Sequence, residues 1–165
     1  MNGYSLGDWG LAFTATASAA AALTGLLFVA LSINLKQIIA NPGLIARAIE
    51  VLIVLSAALI LSTLLLMPGQ PNAAAATEII ITAVAVSAVT GRIQILTDRR
   101  ALGISGFAFA MRVMGAHTGP LFLVVGAISL LGQSGGGLYW IVPALLAMIV
   151  VSIIGAWIML VEILR

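Results

Sequence analysis

Cysteine is absent from this chain, and charge is nearly so. Without a thiol there is no disulfide framework, no thiolate nucleophile and no cysteine-type zinc site. Only 7% of the residues are charged, against about 25% in soluble domains, so a water-facing surface cannot be covered. Histidine occurs once, at His117. A His–carboxylate cluster at metal-ligand spacing is therefore excluded, and neither metal nor cofactor is expected. Seven basic against five acidic residues give an isoelectric point near 9.7. Seven scattered cations are too few for a phosphate-binding face, so nucleic acid is not an expected partner. Residues 1–8 contain no Lys or Arg, so the basic region that opens a secretory signal is missing and the first apolar run reads as a retained span.

What is present is apolar sequence in long runs: 62% of the 165 residues are hydrophobic. About 20 apolar residues cross the hydrocarbon of a bilayer. Five runs meet that length, at about 10–36, 43–67, 74–96, 106–131 and 138–164, separated by turn signals such as Asn41-Pro42-Gly43 and Pro68-Gly69-Gln70-Pro71. The expected fold is an all-α polytopic transmembrane bundle forming a single domain over residues 1–165. Trp9, Tyr139 and Trp140 are placed as interfacial aromatics, and Asn72 as the N-cap of the third span. No strand, internal repeat or water-soluble domain is indicated.

Five spans must alternate in direction, and the cations test that count. Lys36 and Arg47 flank the connection after the first span. Arg92, Arg99, Arg100 and Arg112 flank the one after the third, and Arg165 ends the fifth. All seven fall on one side, while the other two connections are uncharged. By the positive-inside rule the N-terminus is expected outside and the C-terminus in the cytoplasm. A small-residue stripe along the first span, Ser18, Ala22 and Gly25 with Ala15 and Val29, permits close helix packing in lipid. Gly115 and Gly119 form a second such motif. So small a bundle encloses little by itself, so a homo-oligomer is expected.

Ionisable groups inside a membrane are costly to place and mark functional candidates. With a rise of about 1.5 Å per residue, Glu50 and Arg112 reach similar depths, about 10 Å inside the basic boundary. An ion pair between the second and fourth spans would accommodate both, either as a structural lock or as part of a conducting path; alternatively Arg112 snorkels to the interface. Arg47 is three residues from Glu50, on the same face. His117 falls about 16 Å deep, near the midplane. There an imidazole would relay protons or contact a permeating ion, or bond the Ala116 carbonyl that Pro120 frees from the helix. Thr118 and Pro120 accompany it on the kinked fourth span. Glu78, shallow on the opposite side, reads as an interfacial carboxylate or the outer end of such a path.

Enzymatic patterns fail. Gly103-Ile104-Ser105-Gly106 matches the GxSG of rhomboid proteases, but Ser105 and His117 are 12 residues apart on one segment. That separation is about 18 Å along a helix, too far for a dyad. The chain is not expected to be an enzyme.

Residues 18–36, SAAAALTGLLFVALSINLK, are followed by Pro42-Gly43, Arg47-Ala48-Ile49-Glu50 and Pro68-Gly69-Gln70. This order resembles a group of small multi-pass bacterial membrane proteins of unknown activity, some labelled modulator of FtsH protease. The resemblance covers roughly the first 80 residues. It implies a bacterial inner-membrane location and, as an alternative to a path for protons, ions or a small solute, an accessory role binding another membrane protein.

Overall fold

The computed structural model describes residues 2–97 and 105–163. Arg99, Arg100, Arg165 and the Gly103-Ile104 half of the GxSG match lie outside the described residues. The described chain folds into six α-helices. They are α1 (Gly10–Ile33), α2 (Leu35–Ala40), α3 (Pro42–Leu64), α4 (Asn72–Leu96), α5 (Gly106–Gly132) and α6 (Leu138–Ile163), with a short 3-10 turn, Leu6–Trp9, ahead of α1. All but α2 are long and apolar enough to cross a bilayer. Large apolar side chains such as Leu11, Phe28, Ile95, Phe107 and Trp157 stand on the outer surface, where lipid is the only solvent that suits them. The chain is a multi-pass integral membrane protein.

α3, α4, α5 and α6 form a ring in that order, α3 also touching α6, and α1 packs outside against α3 and α6. The α1 face that packs carries Phe13, Thr16, Ala20 and Leu27. Within it the Thr16 and Ser62 hydroxyls meet at 3.0 Å, joining α1 to α3. The stripe of Ser18, Ala22 and Gly25, with Ala15 and Val29, lies on the exposed side of α1. It takes no part in packing within the described residues, because α1 is turned so that Phe13, Thr16, Ala20 and Leu27 face inward.

Local chemistry sets the ends. The first span stops sooner than expected, at Ile33, because the Asn34 side-chain amide folds back to donate to the Ala30 carbonyl (2.9 Å). The chain then turns into α2, which buries Ile38 and exposes Lys36 and Gln37. Asn41 caps α3 through its side-chain oxygen, which accepts from the Gly43 N–H (2.9 Å), and Pro42 occupies the first turn, where its missing N–H costs nothing. α3 ends at Leu64, three residues short of expectation. α4 begins at Asn72, with Pro71 at its cap. Asn72 is thus the first helical residue, and its side chain serves a tertiary contact instead. α5 runs unbroken across Pro120 rather than being interrupted there, and α6 is described to Ile163.

The two faces of the bundle differ. On the N-terminal face, residues 2–9 fold over the helix ends. The Leu138 N–H donates to the Gly3 carbonyl (2.8 Å), the Gly136 N–H donates to the Tyr4 hydroxyl (3.0 Å), and the Asn72 amide donates to the Tyr4 carbonyl (3.0 Å). Trp9 is buried here, edge-on to Tyr139 with centroids 4.7 Å apart. Its indole N–H donates to Asn2, so it is a core residue of this face rather than the interfacial anchor expected. Gly137 has φ +52°, and a side chain there would strike Gly3 and Tyr4; only glycine satisfies both conditions. Lys36, Arg47, Arg92 and Arg112 lie toward the opposite, basic face.

Candidate functional site

Toward the basic face the ring does not close. α5 meets α6 closely where Gly119 lies against Met148 and Ala144, with no room for a Cβ. Gly115, one turn nearer the basic face, would place a Cβ 3.4 Å from Val151. Below Gly119, toward the basic face, a cavity of about 830 Å³ separates α3, α5 and α6. Its walls run from Phe107 to Thr118 on α5 and from Val151 to Glu162 on α6. At about 1.5 Å per residue that is about 16 Å, half of the ~30 Å hydrocarbon thickness. Most of the lining is apolar; the charges are Arg47 and Glu50 from α3, Arg112 from α5 and Glu162 from α6.

These charges form two pairs. Arg112 grips one Glu50 oxygen, Oε2, through Nε (2.8 Å) and Nη2 (2.6 Å). The other oxygen, Oε1, accepts a short hydrogen bond from the Gln94 amide on α4. Glu50 is therefore fully satisfied, as a carboxylate with 8% side-chain exposure must be. The Arg112 side chain is only 10% exposed, so it does not snorkel. Arg47 does not join Glu50 along the helix. It faces Glu162 on α6 at 3.7 Å, a distance at which charges attract without a hydrogen bond. Together these contacts tie all four ring helices at one level. Gln94 went unnoticed in the sequence, although it continues the buried face of Val86 and Thr90 at helical spacing.

No family model, curated protein or solved structure matches this chain.

The remaining candidates are dispersed. Thr118 lines the cavity wall, with its hydroxyl bonded to the Met114 carbonyl (2.7 Å). His117, the residue before it, points elsewhere: its ring lies 3.8 Å from where a Cβ on Gly91 of α4 would stand. It is not part of the cavity lining, and it has no hydrogen-bond partner among the described residues, the Ala116 carbonyl included. Pro120 is buried within α5. Glu78, on the first turns of α4, is not an openly solvated carboxylate. Its Oε2 is covered and lacks a partner among the described residues, as does the Ser152 hydroxyl on the cavity wall. The structure brings Glu50, Arg112, Arg47 and Thr118 to one cavity and leaves His117 and Glu78 outside it.

Proposed function

We propose that the protein provides a path across the bilayer for a small solute, entered through the crevice between α3, α5 and α6. The observation that supports this reading is the asymmetry of the bundle. A cavity of ligand size, about 830 Å³, opens beside the basic face, while residues 2–9 cover the opposite one. Pockets of roughly 300–1,000 Å³ with few polar groups are the usual form of small-molecule sites. Access from one side at a time is how a carrier differs from a pore. In this reading the basic face is cytoplasmic, the membrane is a bacterial inner membrane, and the protein works as a homo-oligomer. His117 acts on the path from the α4 side of α5, and the Glu50–Arg112–Gln94 brace holds the ring around it.

The absence of cysteine makes a direct test simple. Thr118→Cys introduces one thiol on the crevice wall. In sealed vesicles a membrane-impermeant thiol reagent should label it rapidly from the basic side and slowly from the other. Labelling from the basic side alone, however long the exposure, would sink the path. Flux of protons, ions and small solutes into proteoliposomes, compared with His117→Ala, then reads conduction itself.

A second reading has its own support. The exposed Ser18, Ala22 and Gly25 stripe suits a helix of another membrane protein, in line with the resemblance to protease modulators. A partner recovered stoichiometrically with the wild type and lost in Gly25→Leu would favour an accessory role over a path.

A further inference from the structure

The crevice has hydrogen-bond donors without a partner among the described residues. Arg47 has a side chain only 13% exposed, yet its one polar contact is Glu162 at 3.7 Å, and it makes no hydrogen bond among the described residues. Arg112 spends Nε and Nη2 on Glu50 and leaves Nη1 without a described partner. Guanidinium N–H groups that open into a largely apolar crevice bind best to an acceptor held there, and the acceptors their planar fork matches are carboxylate and phosphate oxygens. Of the two carboxylates on the wall, Glu50 is already saturated. Glu162, near the end of α6, is 38% exposed and makes no hydrogen bond to Arg47 at 3.7 Å, so it can yield its place there.

The rest of the crevice says what such an anion carries. Past Arg112 the α5 wall continues to Thr118, about 9 Å farther into the bilayer, between apolar side chains. Its rims, Met111 and Met114 on α5 and Ile154 and Ile158 on α6, are exposed on the outer surface of the bundle. The opening is therefore lateral as well as terminal, and what meets it is lipid. The whole groove is about one leaflet deep.

We infer that the ligand of this crevice is an anionic phospholipid from the leaflet at the basic face, its phosphate oxygens held by Arg47 and Arg112 and one acyl chain lying along α5 and α6. The inference rests on the crevice being the solute site, and it names the substrate class of that site. Phosphate displaces Glu162 from Arg47 and leaves the Glu50–Arg112–Gln94 brace intact.

The test uses the full-length protein in nanodiscs of equal phosphatidylcholine and phosphatidylglycerol, with a free fatty acid added, released for native mass spectrometry. The wild type should retain one phosphatidylglycerol per chain. Arg47→Gln should lower that retention about tenfold, the worth of one charge-assisted hydrogen bond, and Arg47→Lys, which keeps the charge without the fork, should restore only part of it. Ala108→Trp, which fills the wall without changing a charge, should also abolish retention. Equal retention of phosphatidylcholine, preference for the fatty acid, a second copy of the chain in place of lipid, or retention unchanged in both Arg47→Gln and Ala108→Trp would each overturn the inference. Movement of fluorescent phosphatidylglycerol between leaflets of proteoliposomes separates the two claims. Binding with neither lipid movement nor solute flux removes the path and keeps the site. Solute flux without anionic-lipid preference does the reverse.

Discussion

Replacing Glu50 by Leu removes the one acceptor shared by three donors: Arg112 Nε, Arg112 Nη2 and the Gln94 amide. Arg112 then keeps a full charge at 10% side-chain exposure with no described partner. Removing one member of a buried pair costs about 3–5 kcal/mol, whereas replacing both by apolar groups is close to neutral. Glu50→Leu and Arg112→Leu should therefore each destabilise by about 3–5 kcal/mol, and the double variant by far less than their sum. With a double variant close to neutral, the coupling energy should be about 6 kcal/mol or more. Reversible unfolding in mixed micelles, with increasing anionic detergent and helicity as the readout, measures all four corners of the cycle. Additivity within about 0.5 kcal/mol, the behaviour of independent sites, would refute the claim that this pair braces the ring. Gln94→Leu in the wild-type background should cost about 1–3 kcal/mol, since it leaves one carboxylate oxygen without its donor.

Three further outcomes follow from packing. Gly119→Leu should destabilise by about 1–3 kcal/mol or more, because any side chain there overlaps Met148; Gly115→Ala, with 3.4 Å to Val151, should be tolerated, and the same unfolding assay compares them. A double-mutant cycle of Thr16→Val and Ser62→Ala should give a coupling near ~0.6 kcal/mol, the usual size of an interhelical hydrogen bond in lipid. Gly137→Ala should release residues 2–9 while the spans stay folded, seen as faster amide hydrogen exchange confined to that segment.

The five spans were legible because length and hydropathy suffice for a helix in lipid: no other open structure satisfies the backbone. The Glu50–Arg112 pairing was legible from depth, since each charge needs the other at one level of the bilayer. Arg47 and Trp9 show where that reasoning stops. Arg47 is a helical neighbour of Glu50 in sequence, but helix rotation about its own axis decides partners, and rotation is set by packing against α6. Trp9 has the composition of an interfacial anchor, yet Tyr139, 130 positions away, turns it inward. The Ser18–Gly25 stripe gave no hint of direction, because small residues suit a contact inside the chain and one outside it equally well. The crevice itself could not be read at all. It is what remains when α5 and α6 approach at Gly119 and diverge below it.

The covering of the N-terminal face sets an order of events in biogenesis. The bond from Gly136 to Tyr4 joins positions 132 residues apart. At about 5–20 residues per second, synthesis delivers the second partner on the order of ten seconds after the first. Four spans are thus already made while Tyr4 and Gly3 hold Asn72 at most and lack Gly136 and Leu138, so the end of the bundle they seal stays partly open until α6 arrives. Closure of that face needs the segment at Gly136: a chain stopped before it has the α1–α3 contact and the α3–α5 ion pair but lacks the bonds from Gly136 and Leu138. Quality control that recognises an uncovered helix end in the membrane would distinguish the two.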